Sequence, residues 1–529
     1  MKRIVFLAIV ALVLALSLPL TSLAAGPQAE EKVTLVIARN IDDAITNDPN
    51  RLYEWTTQMT QMACYEGLVE IRPPDLTKPI PKLAESWEIS EDGMTYTFHL
   101  RKDVKFASGN PLTAEDVRFS FMRLKNLKDN PAFLAEKIKE IEVVDDYTVK
   151  ITLTEPSAPF LYILTAPTLA IIDSKVVKEH GGTDAEDADK TDTAKEWLDQ
   201  NSAGSGPFIL TGWTPKTEIV LEKNPNYWGE PAKIDKIIVK HVADSSSQVQ
   251  LLQRGDVDVA QDIDLDLVDQ IKADPNITLI TGQTINLIYM AITPNAELSK
   301  ELAQKSVRQA IAYAIDYAGI TDYLMMGYSA QPPSVIPVGM LGVDPEMARK
   351  RDVEKAKALL SEAGYPDGFF LDFVYPTGTM LGVPFDPLAA KLQSDLAEAG
   401  IKLNLQPKGF SVWISQYRGK ELAITLGGWS PDYPDPHNWA EPFGSTGGGV
   451  CKRIRWDDVP TTDLVKQAYS TSDPEERAKL YGEIQEILMD EATWIPLVQP
   501  QSLVAISKEV KGYEFHPVYW VDLYGLSKG

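Results

Sequence analysis

"DVEKAKALLSEAGYPDGFFLDFVY" (352–375) and "DPLAAKLQSDLAEAGIKLNLQ" (386–406) state the same pattern twice. An aspartate opens each stretch and a glycine, Gly364 or Gly400, closes its helical part. In the second, Leu388, Leu392 and Leu396 recur at spacing four, which puts them on one helical face. A strand-like segment follows each glycine, "FFLDFVY" in one case and "IKLNLQ" in the other. Helix then strand, repeated, is the signature of an α/β lobe, and the alternation extends over about 286 to 490. "SDPEERAKLYGEIQEILMDE" (472–491) is its best-marked helix. Asp473 caps it, Pro474 takes the first helical position and Glu476 completes a capping box, with Leu480, Ile484, Ile487 and Leu488 facing the core.

Upstream of that region strands dominate. "KVTLVIAR" (32–39) and "YTVKITL" (147–153) read as strands, and Tyr96, Phe98 and Leu100 alternate with Thr97, His99 and Arg101. "PLTAEDVRFSFMRL" (111–124) is a helix capped by Thr113. At 529 residues the chain exceeds one core, and about one domain per 100–200 residues predicts about three. With 44% hydrophobic and 24% charged residues it is ordinarily globular, and a net charge of −24 argues against a nucleic-acid partner.

The first residues predict export. "MKR" is basic, Ile4–Leu20 is apolar, and "TSLAA" ends in small residues, so 1–25 reads as a signal peptide. The apolar run is broken by Pro19, which disfavours a membrane anchor, and no cysteine follows it to carry lipid. Export permits disulfides, but Cys64 and Cys451 are the only cysteines, and one long-loop bridge or two buried thiols both remain open.

Motifs of chemistry are missing. None of the five histidines has metal-site spacing, and His437 beside Asp435 reads as a loop histidine rather than a ligand. "GSTGGGVCK" (444–452) has valine where a phosphate loop needs lysine, and "AGSGPF" (203–208) is a tight turn rather than a nucleophile elbow. By default Asp432 and Asp435, in "GGWSPDYPDPHNWAEPF" (427–443), are turn formers. No catalytic residue, cofactor or metal is expected.

Seven blocks in order make the chain resemble the family 5 extracellular solute-binding proteins, the oligopeptide- and dipeptide-binding components of ABC importers. They are "YEGLVE" (65–70), "PKLAESWEISEDGMTYTFHLRKDVKFASGNPLTAEDVRFSF" (81–121), "GSGPFIL" (204–210), "LEKNPNYWGEPAKIDKIIVKHVAD" (221–244), "LLQRGDVDVA" (251–260), "VRQAIAYAID" (307–316) and "GGWSPDYPDP" (427–436). The resemblance implies an α/β class II periplasmic-binding-protein fold, two lobes joined by a hinge plus an additional α+β subdomain. Lobe I would comprise 33–77, 200–285 and 492–529, the subdomain 78–199, and lobe II 286–491. The polar "ITPNAELS" (292–299) and the last strands would hold the hinge crossings.

The resemblance also implies a function: capture of a small solute by hinge closure and delivery to the membrane permease of an ABC transporter, without chemistry. The missing lipid-attachment cysteine points to the periplasm, and a monomer is expected. In peptide-binding relatives the aspartate three residues after this loop's Gly-Trp pairs with the ligand's α-ammonium, which here is Asp432. Gly428, Trp429 and Ser430 on one side, and Tyr53, Glu54 and Trp55 on the other, would flank the peptide main chain. Trp429 and Tyr433 would offer surface for its side chains. A peptide is the expected ligand; an oligosaccharide or other non-peptide solute is the alternative, and an exported hydrolase a remote one.

Overall fold

The computed structural model describes residues 32–518 and 520–529; the leader read at 1–25 lies outside them. The strand Trp494–Ser507, fourteen residues long, organises the fold. Its first part pairs antiparallel with Leu287–Ile292, and its second part with Ile277–Gln283 and Val259–Ala260. One sheet therefore runs through both lobes.

Beyond Leu287–Ile292 the sheet continues through Ile424–Trp429, Phe369–Pro376 and Ile401–Lys408. The last two pair in parallel and are joined by the helix Phe385–Glu398, as the sequence pattern predicts. Leu388, Leu392 and Leu396 are fully buried in the core over this sheet. On the other side Thr34–Arg39 pairs in parallel with Val259–Ala260 and Lys236–His241, and the sheet ends with Glu218–Lys223 and Phe208–Thr214.

The link between the two halves of this sheet is short. It lies at 284–286, between Ile277–Gln283 and Leu287–Ile292, and beside it at Gln499–Pro500. The two crossings are tied to each other: Thr284 Oγ1 donates to the Pro500 carbonyl at 2.6 Å, and Gln499 Nε2 donates to the Thr284 carbonyl at 2.9 Å. The segment 292–299 is already held inside lobe II, where Thr293 Oγ1 donates to the Ile454 carbonyl and Thr293 N to the Ala423 carbonyl. Trp494 to Val498 pair with Leu287–Ile292.

A separate antiparallel sheet, Ala84–Ile89, Thr95–Leu100, Thr148–Leu153 and Ile138–Asp145 in spatial order, forms the added subdomain with the helix Ala114–Leu127. Tyr96, Phe98 and Leu100 are buried as the alternation predicts, and Thr113 and Asp116 complete a capping box.

Four of the sequence blocks meet at one buried carboxylate. Glu66 accepts from Ser205 Oγ and Trp228 Nε1, each at 2.7 Å, from Tyr227 OH at 3.2 Å, and pairs with Lys82. The "GSGPF" turn passes so close to this point that a Cβ on Gly206 would lie 2.7 Å from the Ala63 carbonyl oxygen and 2.6 Å from Cys64 C. Both obstacles are backbone and cannot swing away. Gly206→Ala should therefore cost roughly 1–3 kcal/mol, read as a lower denaturant midpoint; an unchanged midpoint would show that this turn is loose. Cys64 and Cys451 are free, buried thiols in different cores, and burial pushes Cys64 up to about 12.

Candidate functional site

The strand Ile424–Trp429 carries the "GGW" stretch to the edge of lobe II. Its pairing with Leu287–Ile292 continues to Trp429, whereas Phe369–Pro376 meets it only at Thr425. Among the described residues no strand pairs with the other edge of Gly427–Trp429. Side chains explain both glycines: a Cβ on Gly427 would sit 2.7 Å from the Tyr289 ring, and one on Gly428 2.7 Å from Met380 Sδ. Trp429 is half-buried, donates from Nε1 to the Asn438 carbonyl and stands edge-on to Phe443.

After Ser430 the chain turns through "PDYPDP". Two interactions hold this loop, and neither is local. Asp435, expected to be a turn former, is 1% exposed and accepts a bidentate pair from Arg477, both bonds at 2.7 Å. Arg477 also donates to the Ala468 carbonyl and to Tyr481 OH, so its guanidinium is well satisfied. Tyr433, expected to face a ligand, is buried instead in the core of the four-stranded subdomain. It anchors the loop of lobe II to another part of the molecule. His437 is packed against Tyr469, burial drives it down to about 4, and no metal-binding group of side chains exists among the described residues.

Asp432 is the point where the two predicted walls meet. Tyr53, from the loop before the helix Trp55–Cys64, donates its hydroxyl to Asp432 Oδ1 at 2.5 Å. These residues are 379 positions apart. Among the described residues no lysine, arginine or histidine forms an ion pair with Asp432. Burial raises its carboxyl to about 6, against the opposing hydrogen bonds from Tyr53 and Asn438. The Tyr53 phenol is driven upward by burial first and by the Asp432 charge second, so it stays a donor. Glu54 turns back on the backbone N–H of Tyr53 at 3.0 Å, and burial raises its carboxyl. Trp55 starts its helix and lines a cavity of about 870 Å³ that also reaches Phe410, Thr284 and Gln501.

The raised Asp432 pKa has a testable sign. Between the unfolded value near 4 and the folded value near 6 the native state holds a proton that the unfolded chain has lost. This group therefore stabilises the fold at low pH, and that contribution disappears as pH rises through 6. Asp432→Asn should be more stable than wild type at pH 8, by an amount of order 1–3 kcal/mol, with the gap closing by pH 4. Denaturant midpoints of the two proteins along a pH series check this. Comparing them cancels the opposite effect of His437 and His516, which burial keeps neutral down to about 4 and about 3. A gap that is constant with pH would contradict it.

Sequence reasoning missed Arg477 and its partner. A signal was present: Arg477 stands one turn before Tyr481 and two before Ile484, on the buried stripe of its helix. A lone arginine on an apolar face requires a buried anion, but the sequence does not say which.

The family described as "Bacterial extracellular solute-binding proteins, family 5 Middle" matches residues 78–450. The chain is similar to "Probable D,D-dipeptide-binding periplasmic protein DdpA" of Escherichia coli (strain K12), 32% identical over 522 residues and 96% of each chain. It is 33% identical over 489 residues to "Heme-binding protein A" of Haemophilus influenzae, covering 88% of this chain and 86% of that one. Its fold matches the periplasmic binding protein DppA from Helicobacter pylori in complex with the peptide STSA, with a TM-score of 0.76, 27% identity, and coverage of 94% and 98%.

Proposed function

The chain belongs to the bacterial extracellular solute-binding proteins of family 5, and from that premise we propose that it captures a peptide with a free N-terminus between its lobes and passes it to an ABC transporter permease. The observation that carries this reading is Asp432. A carboxylate raised by burial, with a tyrosine hydroxyl from the opposite wall and no cationic partner of its own, suits an ammonium ion. The unpaired edge of Gly427–Trp429 beside it supports main-chain hydrogen bonding by strand addition, which gives affinity whatever the peptide's side chains. Trp429, Gly428 and Ser430 then form one wall, with Tyr53, Glu54 and Trp55 opposite. Tyr433 and Asp435 hold the loop in place rather than touch the ligand.

The names of relatives support the same reading, since one is a dipeptide-binding periplasmic protein and another was solved with a peptide bound. They also support a periplasmic location, for which the leader at 1–25 would be the address. The direct experiment is to purify the protein from its own host, denature it and identify what is released by mass spectrometry. Short peptides are expected. A haem, a sugar or another non-peptide solute would replace the peptide reading while keeping the binding role.

A further inference from the structure

The cavity beside Trp55 has a chemistry of its own. Gln261, the residue after the short strand Val259–Ala260, lines it and is only 4% exposed. Neither its Oε1 nor its Nε2 has a hydrogen-bond partner. A buried primary amide left unpaired costs roughly 1–3 kcal/mol, so its retention at a cavity wall points to partners that arrive with a ligand.

The charge around it is lopsided. Asp42, Asp43, Asp262 and Asp264 line the same cavity, and Arg39 is the one basic residue among the described residues that do so. Arg39 is buried, with Nη1 3.9 Å from Met59 Sδ, and Asp42 pairs with Lys216 at 3.7 Å, so Asp43, Asp262 and Asp264 carry the excess charge. Two of the carboxylates are held by hydrogen bonds: Asp43 accepts from Thr56 N and Oγ1, and Asp262 accepts from Asn40 N at 2.8 Å and from Gln248 Nε2 at 3.3 Å. Asp264 has its carboxyl raised first by partial desolvation and then by Asp266, Asp244 and Asp262. Two aromatic faces, Trp55 of lobe I and Phe410 of lobe II, complete the walls, and such faces attract cations.

We propose that this cavity is a second subsite of the cleft, which takes an ammonium or guanidinium side chain of the bound ligand while Gln261 pairs with an adjoining amide. It rests on the peptide reading above and names the class of peptide: one with a basic residue beyond its N-terminus. The acids select by charge, the aromatic faces cover the cation's apolar stem, and Gln261 fixes the main chain.

Calorimetric titration of the full-length mature protein with alanine di- and tripeptides, and the same peptides ending in arginine or in glutamate, tests it. Arginine-ended peptides should bind at least about tenfold more tightly than alanine-ended ones at low salt, with glutamate-ended ones weakest. Asp262→Asn combined with Asp264→Asn should bring the arginine advantage to within about threefold. Gln261→Leu should weaken all the peptides by about tenfold without lowering the melting temperature of the ligand-free protein, because it removes an unpaired amide. Equal affinity for the three series, or a preference for glutamate, overturns the subsite but leaves peptide capture standing. Failure of every peptide to bind overturns both.

Discussion

Asp432→Ala is expected to weaken binding of peptides with a free N-terminus by about 3–5 kcal/mol, two to four powers of ten in Kd. The magnitude follows from where the carboxylate sits. In the ligand-free protein its only close polar partner from the opposite wall is the Tyr53 hydroxyl at 2.5 Å, and no cation neutralises it among the described residues. An ammonium brought there loses water and must recover that loss from one charge-assisted contact. Removing the carboxylate leaves the ammonium desolvated and unpaired. N-acetylated peptides, which lack the charge, should bind the wild type weakly and be almost unaffected by the substitution. Tyr53→Phe separates the roles: it removes the bridge between the walls while keeping the charge, and should cost far less. If acetylated and free peptides lose affinity equally in Asp432→Ala, the residue only shapes the loop.

Arg477→Met is the second large effect and acts on the fold. It strands the Asp435 carboxylate, 1% exposed, with two 2.7 Å bonds removed at once. Breaking one partner of a buried pair costs about 3–5 kcal/mol, because the remaining charge stays out of water. Denaturant unfolding should show that loss, and Asp435→Asn in the same chain should restore part of it, since the neutral amide no longer needs the guanidinium. Peptide affinity should fall as well, because Asp435 lies three residues from Asp432 in the same loop. A loss below about 1 kcal/mol would mean that water reaches Asp435 when Arg477 is gone.

Much of the architecture was legible in the residues. Period-four leucines at 388, 392 and 396, the capped helix after Asp473 and the alternation at Tyr96, Phe98 and Leu100 all report contacts within one element, or between an element and a core. Such periodicity needs no knowledge of the partner, because any apolar surface satisfies it. The ordered blocks added the family, and the structure gives one of their causes: Glu66 ties "YEGL" to "GSGPF", "NYWGE" and Lys82.

The roles of Asp432 and Asp435 were different. Two aspartates three positions apart in one proline-rich loop look alike as sequence. Asp435 meets Arg477 in a buried ion pair; Asp432 meets a hydroxyl and, among the described residues, no cation. Tyr433 between them leaves the cleft for another core. Sequence alone determined the helices, the strands and the family, because those depend on local period and on apolar matching. Which aspartate pairs with Arg477 and which buried amide faces a cavity were decided only by the tertiary structure. Hydrogen bonds and ion pairs are specific to one partner, and here the partners lie 42 to 379 positions away.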